Sequence, residues 1–293
     1  MRRPSREGIA FLALLGGNLA LAFGPWFVRL ADTGPVAAGF WRIALATPLL
    51  LVLAQASGGK PFTSARGLWW VLAGSGVLFA GDLASWHIGI HHTKLANATL
   101  FGNAATFVYP LYGFLIARMW PTRLQGVALA LAAVGAALLM GRSYQLAPEN
   151  LIGDLLSLLA GVLYAGYFIL MARARDTMAP LPALALSSLA ATLPLWLFAL
   201  VLGERIMPVD WTPLIGLALL SQVIGQGLMI YALGALSPLV VGLALLTQPI
   251  VAAAIGWFAY GERLGVADVA GAVMIAVALV LVRLAPERAK LTA

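Results

Sequence analysis

Gly81-Asp82-Leu83-Ala84-Ser85-Trp86-His87-Ile88-Gly89-Ile90 slides onto Gly225-Gln226-Gly227-Leu228-Met229-Ile230-Tyr231-Ala232-Leu233-Gly234 at an offset of 144. Changed by one, the offset sets Asn103 on Gln248 and Gly126 on Gly271, and Ala46-Thr47-Pro48 falls near Thr192-Leu193-Pro194. Self-similarity at half the chain length predicts two halves, 1–145 and 146–293, of like fold.

The matched stretches lie in very apolar sequence. Hydrophobic residues make up 62% of the 293, charged residues only 10%, and mean hydropathy is +0.95. A soluble domain carries about 25% charged residues, so these figures exclude a soluble enzyme, a disordered chain and a collagen-like one. Ten apolar segments lie near 8–29, 34–55, 67–90, 95–117, 122–141, 151–173, 181–202, 212–235, 238–260 and 265–284. Each approaches the ~20 residues that cross a bilayer as a helix. Barrel strands would alternate polar and apolar residues; these segments are apolar all round. The expected fold is therefore an all-α polytopic membrane protein. Its ten transmembrane helices form two five-helix repeats, and because five is odd the second repeat enters the membrane inverted. Inverted repeats are a transporter architecture, with the solute site between the repeats near the midplane.

Segment 1 follows Met1-Arg2-Arg3 and contains Ala20-Leu21-Ala22, which resembles a signal-peptide cleavage site. The apolar run continues to Val28 and has a counterpart in segment 6, so an uncleaved helix is expected. Twelve Lys and Arg residues (Arg2, Arg3, Arg6, Lys60, Arg66, Arg118, Arg123, Arg173, Arg175, Arg283, Arg288 and Lys290) fall on one side. Five, namely Arg29, Lys94, Arg142, Arg205 and Arg263, fall on the other. The positive-inside rule makes the first side, with both termini, cytoplasmic. The net charge of +7 thus sits in loops and tails and forms no stripe for nucleic acid.

Polar side chains within lipid need a partner or a wet cavity. Asn18, Trp86, His87, Asn103, Tyr109, Tyr164, Tyr167, Gln222, Gln226, Tyr231 and Gln248 are the candidate solute-binding residues, on segments 1, 3, 4, 6, 8 and 9. Segments 5 and 10 offer almost nothing polar in their middles and read as scaffold. Neutral amides donate and accept, which suits a polar or zwitterionic solute; their ordinary role is interhelical hydrogen bonding worth about 0.6 kcal/mol each. Trp86, Tyr109, Tyr164 and Tyr167 suit an apolar or aromatic side chain, or simply pack. Arg42 and Asp82 lie at matching depth on consecutive segments. They read as a structural ion pair or as a gating or proton-coupling pair. Gly16, Gly17, Pro110, Pro194 and Pro249 are candidate hinges, since a mid-helix proline removes a backbone bond.

With no cysteine, disulfides, thiolate catalysis and zinc-thiolate sites are excluded. His87 and His91 share a helical face, but no further ligand has matching spacing, so no metal is expected. Gly58-Gly59-Lys60-Pro61 lacks the Walker pattern, and no cofactor is implied. An enzyme would need paired catalytic groups on one cavity. Only Asp82 and His87 come close, five residues apart and pointing in different directions.

The second half carries Tyr231-Ala232-Leu233-Gly234-Ala235-Leu236-Ser237-Pro238, Gln248-Pro249-Ile250, Gly261-Glu262-Arg263 and Gly271. It resembles the EamA domain of the drug/metabolite transporter superfamily. The first half is similar at Gly17-Asn18, Trp41-Arg42 and Gly126, and departs where Ala117 stands in place of Glu262 and Gly16-Gly17 in place of the usual Trp-Gly. The resemblance implies a ten-helix exporter of small metabolites, often amino acids as in exporters of the YddG type, in a bacterial inner membrane. The expected partners are a small-molecule solute and lipid, with no nucleic acid; a monomer is compatible with the pattern. A multidrug exporter is the alternative, with Asp82 as the carboxylate for a cation. Uniport and proton antiport both stay open.

Overall fold

A computed structural model describes residues 5–93, 101–141, 148–251, 254 and 265–285. Among the described residues every regular element is helical. Helix α1 (Arg6–Ala22) is capped by the Ser5 hydroxyl, which accepts from the Gly8 amide at 3.1 Å. Phe23 interrupts it, and α2 (Gly24–Leu30) completes the first predicted segment as a separate helix. There follow α3 (Pro35–Ala56), α4 (Trp69–His92), α5 (Ala105–Ala117), α6 (Arg123–Gly141), α7 (Leu151–Arg175) and α8 (Pro180–Val201). Helix α9 spans Thr212–Leu233 and is wound as a π-helix over Leu217–Gln226. Helix α10 (Pro238–Leu245) resumes after Leu246 as a further turn, and α11 (Val266–Leu284) ends the described chain.

Seven of the described spans are long and apolar enough to cross a membrane; α5, α6 and α10 are shorter and equally apolar. Helices are the form that satisfies every backbone N–H and C=O without water. Wide apolar surfaces stay exposed on α7, α8 and α11, as lipid-facing surfaces do.

Helix α4 packs on α7 and α8, α1 on α9, α3 on α8 and α9, α5 on α10 and α7, and α6 on α11. These contacts are close because small residues line them. A Cβ on Gly17 of α1 would lie 2.9 Å from the Gly225 carbonyl of α9, and one on Gly135 of α6 would lie 2.8 Å from that of Gly271 of α11. Helices α3 and α8 each have 22 residues, begin with a proline and contain an interior proline, Pro48 and Pro194. Pro48 is thus well inside its helix. Gly58 and Gly203 follow these two helices at φ +79° and +65°. There a side chain would cost roughly 1–2 kcal/mol, and the chain turns off the helix axis.

The loop after α8 is tied to the start of α3. The Glu204 carboxylate accepts from the Val36 and Ala37 amides at 3.2 and 2.7 Å. It satisfies orphan donors and meets the positive end of the helix dipole. The Trp41 indole donates to the Ile206 carbonyl at 2.7 Å, and Asp32 accepts from the Val209 amide and faces Arg205 at 3.7 Å.

A Cβ on Gly242 of α10 would stand 2.5 Å from the Pro110 ring and 2.7 Å from the Thr106 carbonyl of α5, both rigid. Gly126 of α6 has open space around it. Gly242→Ala is expected to destabilise the protein by about 1–3 kcal/mol through overpacking. Gly126→Ala is expected to stabilise it by about 0.5–1 kcal/mol through helix propensity. Thermal unfolding of the purified protein in detergent reads both signs.

Candidate functional site

A cavity of roughly 230 Å³ opens where the two halves of the chain meet. The first half supplies Leu21, Ala22, Gly24, Val28, Arg42, Phe79, Asp82, Leu83, Trp86, His87, Gly102, Asn103 and Ala105. The second half supplies Tyr164, Leu217, Leu245, Gln248 and Pro249. Helices α6, α8 and α11 contribute nothing to the lining, so the scaffold role expected for segments 5 and 10 agrees with their place at the periphery.

The irregular backbone gathers here. The break at Phe23, the turn at Asn103 and Ala104, the interruption at Leu246 and the start of the π-helix at Leu217 all adjoin lining residues. Non-helical backbone at membrane depth is tolerated where it is buried in protein or lines a wet cavity. π-segments recur at functional sites for the same reason.

The predicted residues divide into wall and backing. Arg42, Asp82, Trp86, His87, Asn103, Tyr164, Gln248 and Pro249 reach the cavity. Asn18, Gln222 and Gln226 are fully buried behind it. Asn18 Oδ1 accepts from Gln248 Nε2 at 2.7 Å, while its own amide donates to the Leu14 carbonyl at 3.0 Å. Gln222 Oε1 accepts from Arg42 Nε at 3.0 Å, and its Nε2 donates to Ser188 Oγ at 3.0 Å. The Tyr164 hydroxyl donates to Gln226 Oε1 at 3.2 Å, and Gln226 Nε2 donates to the Tyr167 hydroxyl at 3.5 Å. The two glutamines therefore hold wall residues in place. Sequence periodicity showed that they face inward but not how deep they sit.

Arg42 and Asp82 do not form the expected ion pair: among the described residues no hydrogen bond or ion pair joins them. Gln222 fixes the Arg42 Nε, and the guanidinium lies over the Phe79 ring, 5.6 Å from its centroid. A cation over an aromatic face is attracted to it. Phe79 was missed by an analysis of polar residues, although it lies three residues before Asp82, on the same face of α4.

Tyr109 and Tyr167 belong to an aromatic stack rather than to the wall. Phe79 stacks on Tyr167 at 4.6 Å, Tyr164 lies 4.2 Å from Phe168, and Tyr109 packs on Phe168 at 5.6 Å. Tyr109, Tyr167, Phe79 and Phe168 are buried, and of the stack Phe79 and Tyr164 line the cavity. Tyr231 packs against the apolar core and does not reach the cavity. Pro110 and Pro194 are helical and do not line it, Gly16 meets only a side-chain methyl of Leu228, and Gly17 serves the close crossing of α1 and α9. The Gly261-Glu262-Arg263 motif lies outside the described residues. Among the described residues no cluster of His, Asp or Glu could hold a metal.

A helical membrane protein with a cavity lined by both halves of its chain invites comparison with transporters. Residues 151–284 match the EamA-like transporter family. The match falls on the half of the chain whose motifs resemble that family. An uncharacterised transporter of Archaeoglobus fulgidus is 28% identical over 150 residues, 49% of this chain and 50% of that one, so the matched region spans half the length of this curated relative. A solved crystal structure superposes with a TM-score of 0.77 over 97% of this chain and 98% of its own, at 17% identity. That likeness is one of fold. The matches named for a function are to transporters, not to enzymes.

Gln222→Leu removes the partners of Arg42 Nε and Ser188 Oγ at nearly constant volume. A buried donor left unpaired costs about 1–3 kcal/mol, so this variant is expected to unfold at lower temperature than the parent. Ser188→Ala, which leaves the Arg42 contact intact, is expected to lose less.

Proposed function

We propose that the protein is a secondary transporter that exports amino acids or similar small metabolites by alternating access. On this reading residues 1–145 and 146–293 are two inverted five-helix repeats of a ten-helix bundle. Three features support the repeats. Helices α3 and α8, and the glycines that follow them, are related by one shift of 145 residues. Asn103 and Gln248 share that shift and both line the cavity. The helix contacts also survive exchange of the halves: α4 on α7 becomes α9 on α1, and α4 on α8 becomes α9 on α3.

The observation that carries the function is the cavity itself, walled by both halves and furnished with opposite charges, amides and aromatic rings. Its size favours a small solute, because sites for drug-sized ligands usually run from about 300 to 1,000 Å³. A purely cationic drug is disfavoured, since Arg42 shares the cavity with Asp82. The basic residues Arg6, Lys60, Arg66, Arg118, Arg123 and Arg175 gather at one end of the bundle. Asp32, Glu149, Asp154, Glu204 and Asp210 gather at the other. The basic end is the cytoplasmic one in a bacterial inner membrane.

Purified protein in liposomes is expected to show saturable uptake of at least one labelled amino acid, abolished by filling the cavity with Gly102→Trp. A panel of all the common amino acids with no uptake, with or without a pH gradient, would sink this reading. Uptake that ignores the gradient means uniport, and gradient-driven uptake means proton coupling. Orientation is open to a separate check, because the chain has no cysteine of its own. Met207→Cys is expected to react with an impermeant maleimide on intact cells, and Thr63→Cys only after lysis.

A further inference from the structure

We propose that Arg42 and Asp82 grip the two ends of one zwitterion, Arg42 taking its carboxylate and Asp82 its ammonium group. This assignment rests on the transport reading for its biological meaning, but stands on the geometry of the cavity. Both residues line the same cavity. Arg42 spends only its Nε on the protein, in the bond to Gln222. Its terminal amino groups make no hydrogen bond to the described residues, and neither does the Asp82 carboxylate. Charges at this depth are costly, and although Arg42 and Asp82 attract one another across the cavity, they make no direct ion pair among the described contacts. A single solute with a negative and a positive end satisfies both at once.

The placement suits an α-amino acid. Arg42 lies over Phe79, and Asp82 follows Phe79 by three residues on α4. That is about 4.5 Å along the helix axis between the Phe79 and Asp82 backbones, so the ring under the guanidinium and the carboxylate come from neighbouring positions on one face of α4. The guanidinium, held at Nε, is left with its two terminal amino groups to meet a carboxylate end-on, a two-pronged contact in which arginine excels. Trp86 lies four residues beyond Asp82 on the same face of α4, and Tyr164 borders the same space. They leave the solute's side chain an aromatic wall. Gln222 is then a positioning residue, acting on the solute only through Arg42.

The test uses compounds that delete one charge at a time: L-phenylalanine, its methyl ester and its N-acetyl derivative. Each is measured with the full-length purified protein, by ligand-induced thermal stabilisation and by uptake into liposomes. The parent is expected to bind phenylalanine at least tenfold more tightly than either derivative. Arg42→Gln is expected to erase the preference over the ester while keeping that over the N-acetyl compound. Asp82→Asn is expected to do the converse, and Arg42→Lys to restore part of the ester discrimination. Because each result is a ratio within one variant, a partly unfolded preparation does not imitate it. Equal binding of all three compounds by the parent, or the same ratios in both variants, overturns the clamp. Saturable uptake without discrimination overturns the clamp and leaves transport standing. Discriminating binding without uptake of any amino acid does the reverse.

Discussion

A peptide group in hydrocarbon has no water to bond to, and this constraint shapes the molecule. It makes every described element a helix and restricts where the helices can fail. They fail at Phe23, at Asn103 and Ala104, at Leu246 and, by widening, over Leu217–Gln226. All four places border one cavity. The breaks and the cavity explain each other. A wet space lets the backbone leave the helical ladder, and leaving the ladder turns Asn103 and Gln248 toward that space. The helices away from the cavity, α6 and α11, run without interruption through their described lengths.

The same scarcity of water makes polar side chains work in layers. A charge such as Arg42 cannot be left to fluctuate in this environment. Gln222 holds it from behind and Phe79 from below. Gln222 is held in turn by Ser188 of α8. Tyr164 is treated alike, with Gln226 behind it and Tyr167 beyond. Arg42 and Tyr164 thus each have a buried amide as anchor, and both amides come from the π-wound stretch of α9. A π-turn carries about one more residue than an α-turn, which changes the directions in which that stretch presents Gln222 and Gln226.

Much of this was legible in the residues. Composition pointed to a membrane protein and apolar runs to helices, seven of which among the described residues are long and apolar enough to cross a membrane. The scarcity of polar residues in segments 5 and 10 marked α6 and α11 as scaffold. Depth and pairing were not legible. Gln222 and Gln226 were read as cavity-facing because period fixes direction, whereas distance to the wall depends on how closely α1 and α9 approach through Gly17 and Gly225. The pairing of Arg42 with Asp82 was expected because opposite charges at equal depth attract. A partner from a helix 180 residues away in sequence took the Arg42 Nε instead. No local pattern announces such a partner, nor the cap that Glu204 places on α3.

The layering also says which parts can move together. Arg42 belongs to α3 and is bonded to α9, so its position follows that pair. Asp82 belongs to α4, whose long face is packed on α7. The aromatic stack that borders the cavity is shared mainly by α4 and α7, through Phe79, Tyr164, Tyr167 and Phe168. On the proposed alternating-access reading, a movement of α4 and α7 against α3 and α9 would pass through their shared neighbour α8, which packs on both α3 and α4. A solute held by both charges would bridge those two groups across the seam and favour the arrangement in which Arg42 and Asp82 are one zwitterion apart. A solute with only one charge would bind one group and leave the other free. On the proposed reading, coupling of binding to movement depends on the solute carrying both charges, so that selectivity and transport would be two consequences of one geometry.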